Sequence, residues 1–323
     1  MIDNFGRKIN YIRISVTDRC NLRCKYCMPH NGIDLTSHKE ILRFEEICYL
    51  CEIFADLGIE NVKITGGEPL AVKGIPELVK KIKSISGIKT VTLTTNGTLL
   101  SEKLDSLVDS GVDGINISLD TLDRKKFLEL TGSDSLDKTL AAINACAEKG
   151  ISAKINTVVL RNFNEDEVCQ IAALARDSKV DVRFIELMPI GLGKVFESVP
   201  QNEVEAALER EFGSMTESSG KRGNGPASYY TLVGFKGKIG FIGSKSHKFC
   251  DSCNRVRLTG DGFLKQCLHF DQGTDLKTPL RNGASRDELE KLVASCIQEK
   301  PEGHRFGEDV SHGEKRIMAK IGG

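Results

Sequence analysis

"YIRISVTDRCNLRCKYC", residues 11–27, sets a β-rich run directly against three cysteines. Cys20, Cys24 and Cys27 are spaced C-x₃-C-x₂-C, with no fourth cysteine close behind. In parallel α/β folds, ligands sit at the carboxyl ends of strands, so a thiol-rich loop just after a strand reads as a site. Thiolates suit zinc or iron–sulfur chemistry. Three of them leave a metal with one open position, as catalytic rather than structural centres do.

Outward from this stretch, two textures alternate. β-rich runs recur at "NVKIT" (61–65), "TVTLTT" (90–95), "GINISLD" (114–120), "AKINTVVL" (153–160) and "VRFIELM" (182–188). Helical patterns such as "RFEEICYLCEIFADLG", "IPELVKKIKSIS" and "SLDKTLAAINACAEKG" lie between them. The alternation argues for parallel βαβ units. Six such units fit an incomplete α/β barrel or an open doubly wound sheet, and pattern alone does not separate the two. After "MPIGLGK" the texture changes. A helical run leads into a polar stretch, 216–228, read as a linker or flexible loop. Hairpin-like strands, a helix and a Gly/His-rich tail come next. The expected boundary lies near residue 225, dividing 1–225 from 226–323.

The chain has 323 residues, with Lys+Arg 45 balancing Asp+Glu 45. No global field draws in an anion, so an anionic ligand needs a local basic cluster, and nucleic-acid binding is not favoured. No secretory pattern opens the sequence and no apolar run is long enough to span a bilayer, so a cytoplasmic protein is expected. Eleven cysteines is a high count; without a signal, metal or redox chemistry is favoured over disulfides. Six of them fall in two tight sets. Cys48, Cys51, Cys146, Cys169 and Cys296 lie in helical patterns and read as core.

The second set, Cys250, Cys253 and Cys267, is spaced C-x₂-C-x₁₃-C. Arg255 and Arg257 come just after Cys253 and share one face of a strand. Paired guanidiniums beside an open metal site suit a phosphorylated substrate. On spacing alone, a zinc knuckle completed by His247 or His269 fits equally well. Arg13, Lys63 and Lys154 are cations inside otherwise apolar strands. Each needs an anionic ligand or an internal ion pair, for example to Glu186.

C-x₃-C-x₂-C with Tyr26 before its last cysteine, and "GGEP" (66–69) after the second strand, resemble the radical S-adenosylmethionine (SAM) superfamily. "KITGGEPL", "LTTNGTLL", "INISLDTL", "RFIELMPIG", "CNRVRLT" and the terminal "IGG" are similar, in order, to its GTP 3′,8-cyclase family of molybdenum-cofactor biosynthesis. Asn162 departs from that pattern, standing where a glycine is expected.

The resemblance implies an α/β fold, an incomplete (β/α)₆ TIM-type barrel with a C-terminal α+β region carrying a second iron–sulfur cluster. It implies two 4Fe–4S clusters, one on Cys20, Cys24 and Cys27, the other on Cys250, Cys253 and Cys267. The amino and carboxylate groups of SAM would complete the first, and guanine the second. SAM would contact Tyr26, Gly67, Ser118 and Met188. GTP would contact Arg13, Lys63, Thr94, Lys154, Arg183, Arg255, Val256 and Arg257. Arg13, Arg255 and Arg257 are implied in catalysis with Gly322 and Gly323, the double glycine that reaches into the active site. Composition alone favours a frayed end, but Ile317, Met318 and Ile321 offer an anchor. Implied partners are a flavodoxin- or ferredoxin-type electron donor and the next pathway enzyme, cyclic pyranopterin monophosphate synthase. Neither nucleic acid nor membrane is expected, and a homodimer stays open. Rival readings are a radical SAM peptide maturase with an auxiliary cluster and a non-catalytic two-cluster electron carrier.

Overall fold

A computed structural model of the chain describes residues 1–219, 222–306 and 313–322. Among them twelve strands form one sheet: β1 (Tyr11–Ser15), β2 (Asn61–Thr65), β3 (Thr90–Thr95), β4 (Gly114–Ser118), β5 (Ala153–Val159), β6 (Asp181–Glu186), β7 (Thr216–Glu217), β8 (Ser228–Thr231), β9 (Ile239–Ile242), β10 (Arg255–Leu258), β11 (Phe263–Lys265) and β12 (Gly273–Asp275). Their order is β12-β11-β10-β1-β2-β3-β4-β5-β6-β9-β8-β7. β1 to β6 run parallel in sequence order, as the alternation predicts. β9 continues the parallel set beside β6, and β10 does so beside β1. The C-terminal strands therefore extend both ends of the first sheet.

Strand alternation separates two environments. One face carries Ile12, Ile14, Ile64, Leu93, Ile117 and Ile155, all fully buried. They pack in one core with residues of helices Phe44–Asp56, Ile75–Lys83, Leu100–Asp109, Leu136–Glu148 and Val168–Asp177. The other face carries Arg13, Lys63, Thr94, Asn116, Ser118, Lys154, Asn156, Arg183 and Arg257. Closed α/β barrels fill that face with branched apolar side chains. A polar lining here suits a polar ligand instead.

The polar stretch 216–228 differs from the expected free linker. Thr216 and Glu217 pair with β8. Beyond residues 220 and 221, which lie outside the described residues, Arg222 Nε donates to Asp181 Oδ2 at 2.8 Å and Asn224 Nδ2 to Thr90 Oγ1 at 2.9 Å. Asp181 and Thr90 begin their strands, so this segment straps the amino ends of β3 and β6. Its many small and polar residues read as linker chemistry, but Arg222 and Asn224 fasten it to the two strands. Asn162 adopts φ +55, the turn a glycine would otherwise supply.

Candidate functional site

Register places the two cysteine sets at opposite ends of one strand pair. Tyr11 pairs with Arg255 and Arg13 with Arg257. The chain leaves the carboxyl end of β1 toward Cys20. Cys250 and Cys253 precede the amino end of β10. Because β11 is antiparallel to β10, with Lys265 opposite Arg257, Cys267 returns to that same end. Between the two levels β1 rises about 13 Å, at about 3.3 Å per residue.

At the first end, the backbone from Thr17 to Arg19 lies against the "GGEP" loop. Gly67 N donates to Thr17 O and Glu68 N to Arg19 O, both at 2.7 Å. A Cβ on Gly67 would stand 2.2 Å from Arg19 O, so only glycine fits. Glu68, 1 % exposed, is taken up internally by Leu70 N, Thr95 Oγ1 and Asn96 N. It ties the β2 loop to the β3 loop. Cys20 Sγ accepts from Leu22 N at 3.4 Å and Asn96 Nδ2 at 3.8 Å. Burial, then the neighbouring thiol Cys27 and Asp120, push Cys24 well up; burial, Cys20 and Asp120 push Cys27 up to about 12. Three thiolates can share this loop only with positive charge between them, which fits an iron–sulfur cluster. Tyr26 Oη donates to Asp120 Oδ2 at 2.7 Å, and burial raises Asp120 to about 6. Ser118 ends β4, opposite Asn156. Met188, just past β6, packs with Ile190, Leu268 and Ile321.

At the other end, Cys253 contrasts with these thiols. Burial opposes its ionisation, but Arg255, Lys300 and the Arg255 N–H outweigh it and bring the thiol down to about 6. Arg255 Nη2 lies 3.9 Å from the sulfur. His304 N donates to Cys250 Sγ at 3.4 Å. A set already holding one thiolate at neutral pH, within reach of N–H donors, also fits iron–sulfur ligation. All six cysteines are free.

Between the sets lie the cations. Arg13, Lys63 and Arg257 occupy one register row on three adjacent strands. Burial first, then Arg13, Arg183 and Lys154, pull Lys63 far below its ordinary range. Burial, Arg13 and Arg255 pull Arg257 down to about 9. Burial also lowers Arg13, against the help of Tyr11. Arg183 Nε is buried with no hydrogen-bond partner among the described residues. The anticipated internal partner, Glu186, is engaged elsewhere, by Lys245 N, Ser246 N and Gln201 N. Lys154 is the partly satisfied member: Nζ donates to Arg222 O at 2.8 Å and Tyr229 Oη at 3.0 Å, with Asp181 at 4.0 Å. Thr94 Oγ1 accepts from Asn116 Nδ2 at 3.4 Å. Such a crowd of like charges calls for a polyanion.

One expected member sits differently. Val256 is 1 % exposed on the apolar face, because alternation turns it away from Arg255 and Arg257; its side chain faces the core. Gly323 lies outside the described residues. Gly322 is placed, and its carbonyl accepts from Arg257 Nη1 at 3.0 Å. Sequence reading missed Asp120, Asn116, Arg222 and Lys300. Alternation puts Asn116, Ser118 and Asp120 on the same side, a signal that could have found two of them.

The chain matches the Radical SAM superfamily over residues 14–175 and Molybdenum Cofactor Synthesis C over 180–306. It is 45 % identical over 323 residues to a GTP 3′,8-cyclase of Clostridium perfringens and 44 % over 327 residues to one of Heliobacterium modesticaldum, each comparison covering 100 % of both chains. Among solved structures it resembles Streptococcus suis SuiB bound to S-adenosylmethionine, with a TM-score of 0.63 at 16 % identity over 92 % of this chain and 73 % of that one. That likeness shows the fold alone, an α/β architecture on a large, mostly parallel sheet. Full-length similarity to curated cyclases separates this chain from the maturase and carrier readings: it belongs to the GTP 3′,8-cyclase family of the radical SAM superfamily.

Proposed function

We infer that this chain converts GTP into (8S)-3′,8-cyclo-7,8-dihydroguanosine 5′-triphosphate, the first step of molybdenum-cofactor biosynthesis. The observation that carries the reading is the row of mutually repelling cations held between two three-cysteine sets, in a chain similar end to end to GTP 3′,8-cyclases.

We read residues 1–225 as an incomplete (β/α)₆ barrel and 226–323 as the region that covers its open side. Cys20, Cys24 and Cys27 would hold one 4Fe–4S cluster, and Cys250, Cys253 and Cys267 a second. When bound at these thiols, the first cluster together with SAM would supply the radical chemistry directed at C3′ of GTP. Tyr26, Gly67, Ser118 and Met188 would receive SAM at the carboxyl end of the strands. Arg13, Lys63, Arg183 and Arg257 would pair with the triphosphate, relieving their mutual repulsion. Lys154 and Thr94 would extend that grip. Arg255, beside Cys253, would border the guanine. Gripping the triphosphate and guanine together holds C3′ against C8, which turns ring closure into a local event. Gly322 would close the chamber from the tail side and exclude water. An electron donor of flavodoxin or ferredoxin type, hand-over to cyclic pyranopterin monophosphate synthase and a cytoplasmic location complete the reading.

Anaerobic reconstitution with iron and sulfide, then turnover with SAM and GTP, tests it. The expected result is one cyclised GTP per 5′-deoxyadenosine. Release of 5′-deoxyadenosine with GTP unchanged would refute it.

A further inference from the structure

Tyr229 belongs to β8, outside β1 to β6, yet its side chain reaches the polar face of that parallel set. Register lines up Asn156, Arg183, Gly240 and Tyr229 across β5, β6, β9 and β8. The gap in that row is Gly240. A Cβ there would stand 2.8 Å from Arg183 Cγ and 3.0 Å from Tyr229 Cε1. Both side chains therefore close over the glycine, on the face that carries Arg183. Tyr229 is 6 % exposed, and its ring extends as far as β5, where the Lys154 ammonium lies 4.9 Å from the ring centroid.

The protons at this junction can be counted. Lys154 Nζ donates to Arg222 O at 2.8 Å and to Tyr229 Oη at 3.0 Å. Asp181 Oδ2, at 4.0 Å, is beyond hydrogen-bond reach of that ammonium and accepts from Arg222 Nε instead. The other Asp181 oxygen accepts from Lys238 N. An ammonium carries three protons, so one stays unspent among the described residues. An ammonium cannot accept, so the phenol's own proton points elsewhere, and it meets no acceptor among the described residues. Arg183 Nε, buried without a hydrogen-bond partner there, is a third such donor. Buried donors left unmet are costly, so a ligand rich in acceptors belongs here. The strap keeps the ammonium in place from its own side, since a Cβ on Gly223 would stand 3.1 Å from Lys154 Nζ.

We propose that Tyr229 is a further substrate-binding residue of the triphosphate site, its hydroxyl donating to one phosphate oxygen while the Lys154 ammonium donates to a second oxygen of the same phosphate. Two donor atoms 3.0 Å apart suit two oxygens of one phosphate group. The phenol adds a donor without adding charge, so it strengthens the grip without adding to the repulsion among the cations. Tyr229 on β8 and Arg257 on β10 would then hold the triphosphate from the two flanks of the parallel set, each supplied by the C-terminal region. This rests on the reading of Lys154 and Arg183 as triphosphate ligands.

The test is equilibrium dialysis of GTP and of guanosine against anaerobically reconstituted, full-length protein, for wild type, Y229F, K154M and the double variant. Tyr229→Phe keeps the ring against the ammonium and removes only the hydroxyl. Loss of a hydrogen bond to a charged group predicts roughly tenfold weaker GTP binding, with guanosine binding unchanged. The loss should persist when Y229F is added to K154M, because the hydroxyl donates to the ligand itself. Y229F binding GTP as wild type does, or losing GTP and guanosine equally, would overturn the proposal. A loss that vanishes in the K154M background would also overturn it, leaving Tyr229 as no more than a seat for that ammonium. Gly240→Ala is an independent arm: its Cβ would push Tyr229 and Arg183 aside, so GTP binding should fall roughly tenfold or more with guanosine spared, and unchanged GTP binding would count against the proposal. Wild-type protein that binds GTP no better than guanosine would refute the triphosphate reading as a whole, whereas a wild-type preference kept intact in Y229F refutes the role of Tyr229 alone.

Discussion

Replacing Gly322 by alanine isolates what the tail contributes. Gly322 sits at φ +89, and a Cβ there would stand 2.7 Å from Ser15 Cβ and 3.0 Å from Thr65 Oγ1. A side chain held at such a backbone angle costs about 1–3 kcal/mol, and overpacking adds about 1–3 kcal/mol. Ser15 and Thr65 are themselves buried at the ends of β1 and β2, so neither yields readily. The cheaper response is for the short helix Met318–Ile321 to undock together with Gly322. Even the lower sum, about 2 kcal/mol, shifts the seated tail about thirtyfold toward the displaced form. Arg257 then loses its carbonyl partner. The assay is cyclised GTP formed per 5′-deoxyadenosine in anaerobically reconstituted protein, with iron content measured alongside. A fall of about thirtyfold at unchanged iron content is expected. Gly283→Ala is the control: it has φ +82 with nothing within 4 Å of the added Cβ, so it suffers backbone strain without a clash. It should lower stability modestly and leave coupling intact. Wild-type coupling in Gly322→Ala would show that the tail has no part in the chemistry.

The site carries four further expected outcomes. Lys63→Met should weaken GTP binding roughly ten- to a hundredfold, as expected for a lost charge-assisted bond, and affect guanosine far less; equal losses would deny the triphosphate role. Because burial and like charges depress Lys63, the ligand-free fold gains stability as pH rises from its depressed pKa toward the ordinary 10.5. Lys63→Met should raise the ligand-free melting temperature and flatten that rise, and a lowered melting temperature would contradict it. In iron-free protein, alkylation of Cys253 should have its midpoint near pH 6, with Cys27 unreactive until far more alkaline pH, read by peptide mass spectrometry. With its folded pKa below its unfolded one, Cys253 contributes stability that is full above pH 9 and fades as pH falls toward 6; a midpoint near the ordinary thiol value would remove the Arg255–Lys300 effect. Cys24→Ala should abolish SAM cleavage yet retain iron in the second set, whereas Cys253→Ala should keep cleavage and lose cyclisation; zinc in the second set of anaerobic protein would sink its guanine role.

Much of this protein is legible in its residues taken in order. The period-2 runs locate β1 to β6 within a residue or two, because a strand with one face under helices must alternate. The two cysteine triplets, "GGEP" and the strand-borne cations are equally legible, since each is a local departure from what packing asks of a strand or loop. How these pieces meet belongs to the folded chain alone. That β10 lies parallel to β1 puts Arg257 beside Arg13 and sets the cysteine triplets at opposite ends, yet the two strands are some 240 residues apart in the chain. No local pattern records a pairing that distant. Val256 was named from a motif, and alternation in the folded strand turned it to the core. The polar stretch before β8 had the composition of a linker and became a strap, because Asp181 and Thr90 take up Arg222 and Asn224. Lys320 carried no signal at all: a lysine near a terminus is ordinary until the fold brings Asp18, Asp34 and Thr36 around its ammonium.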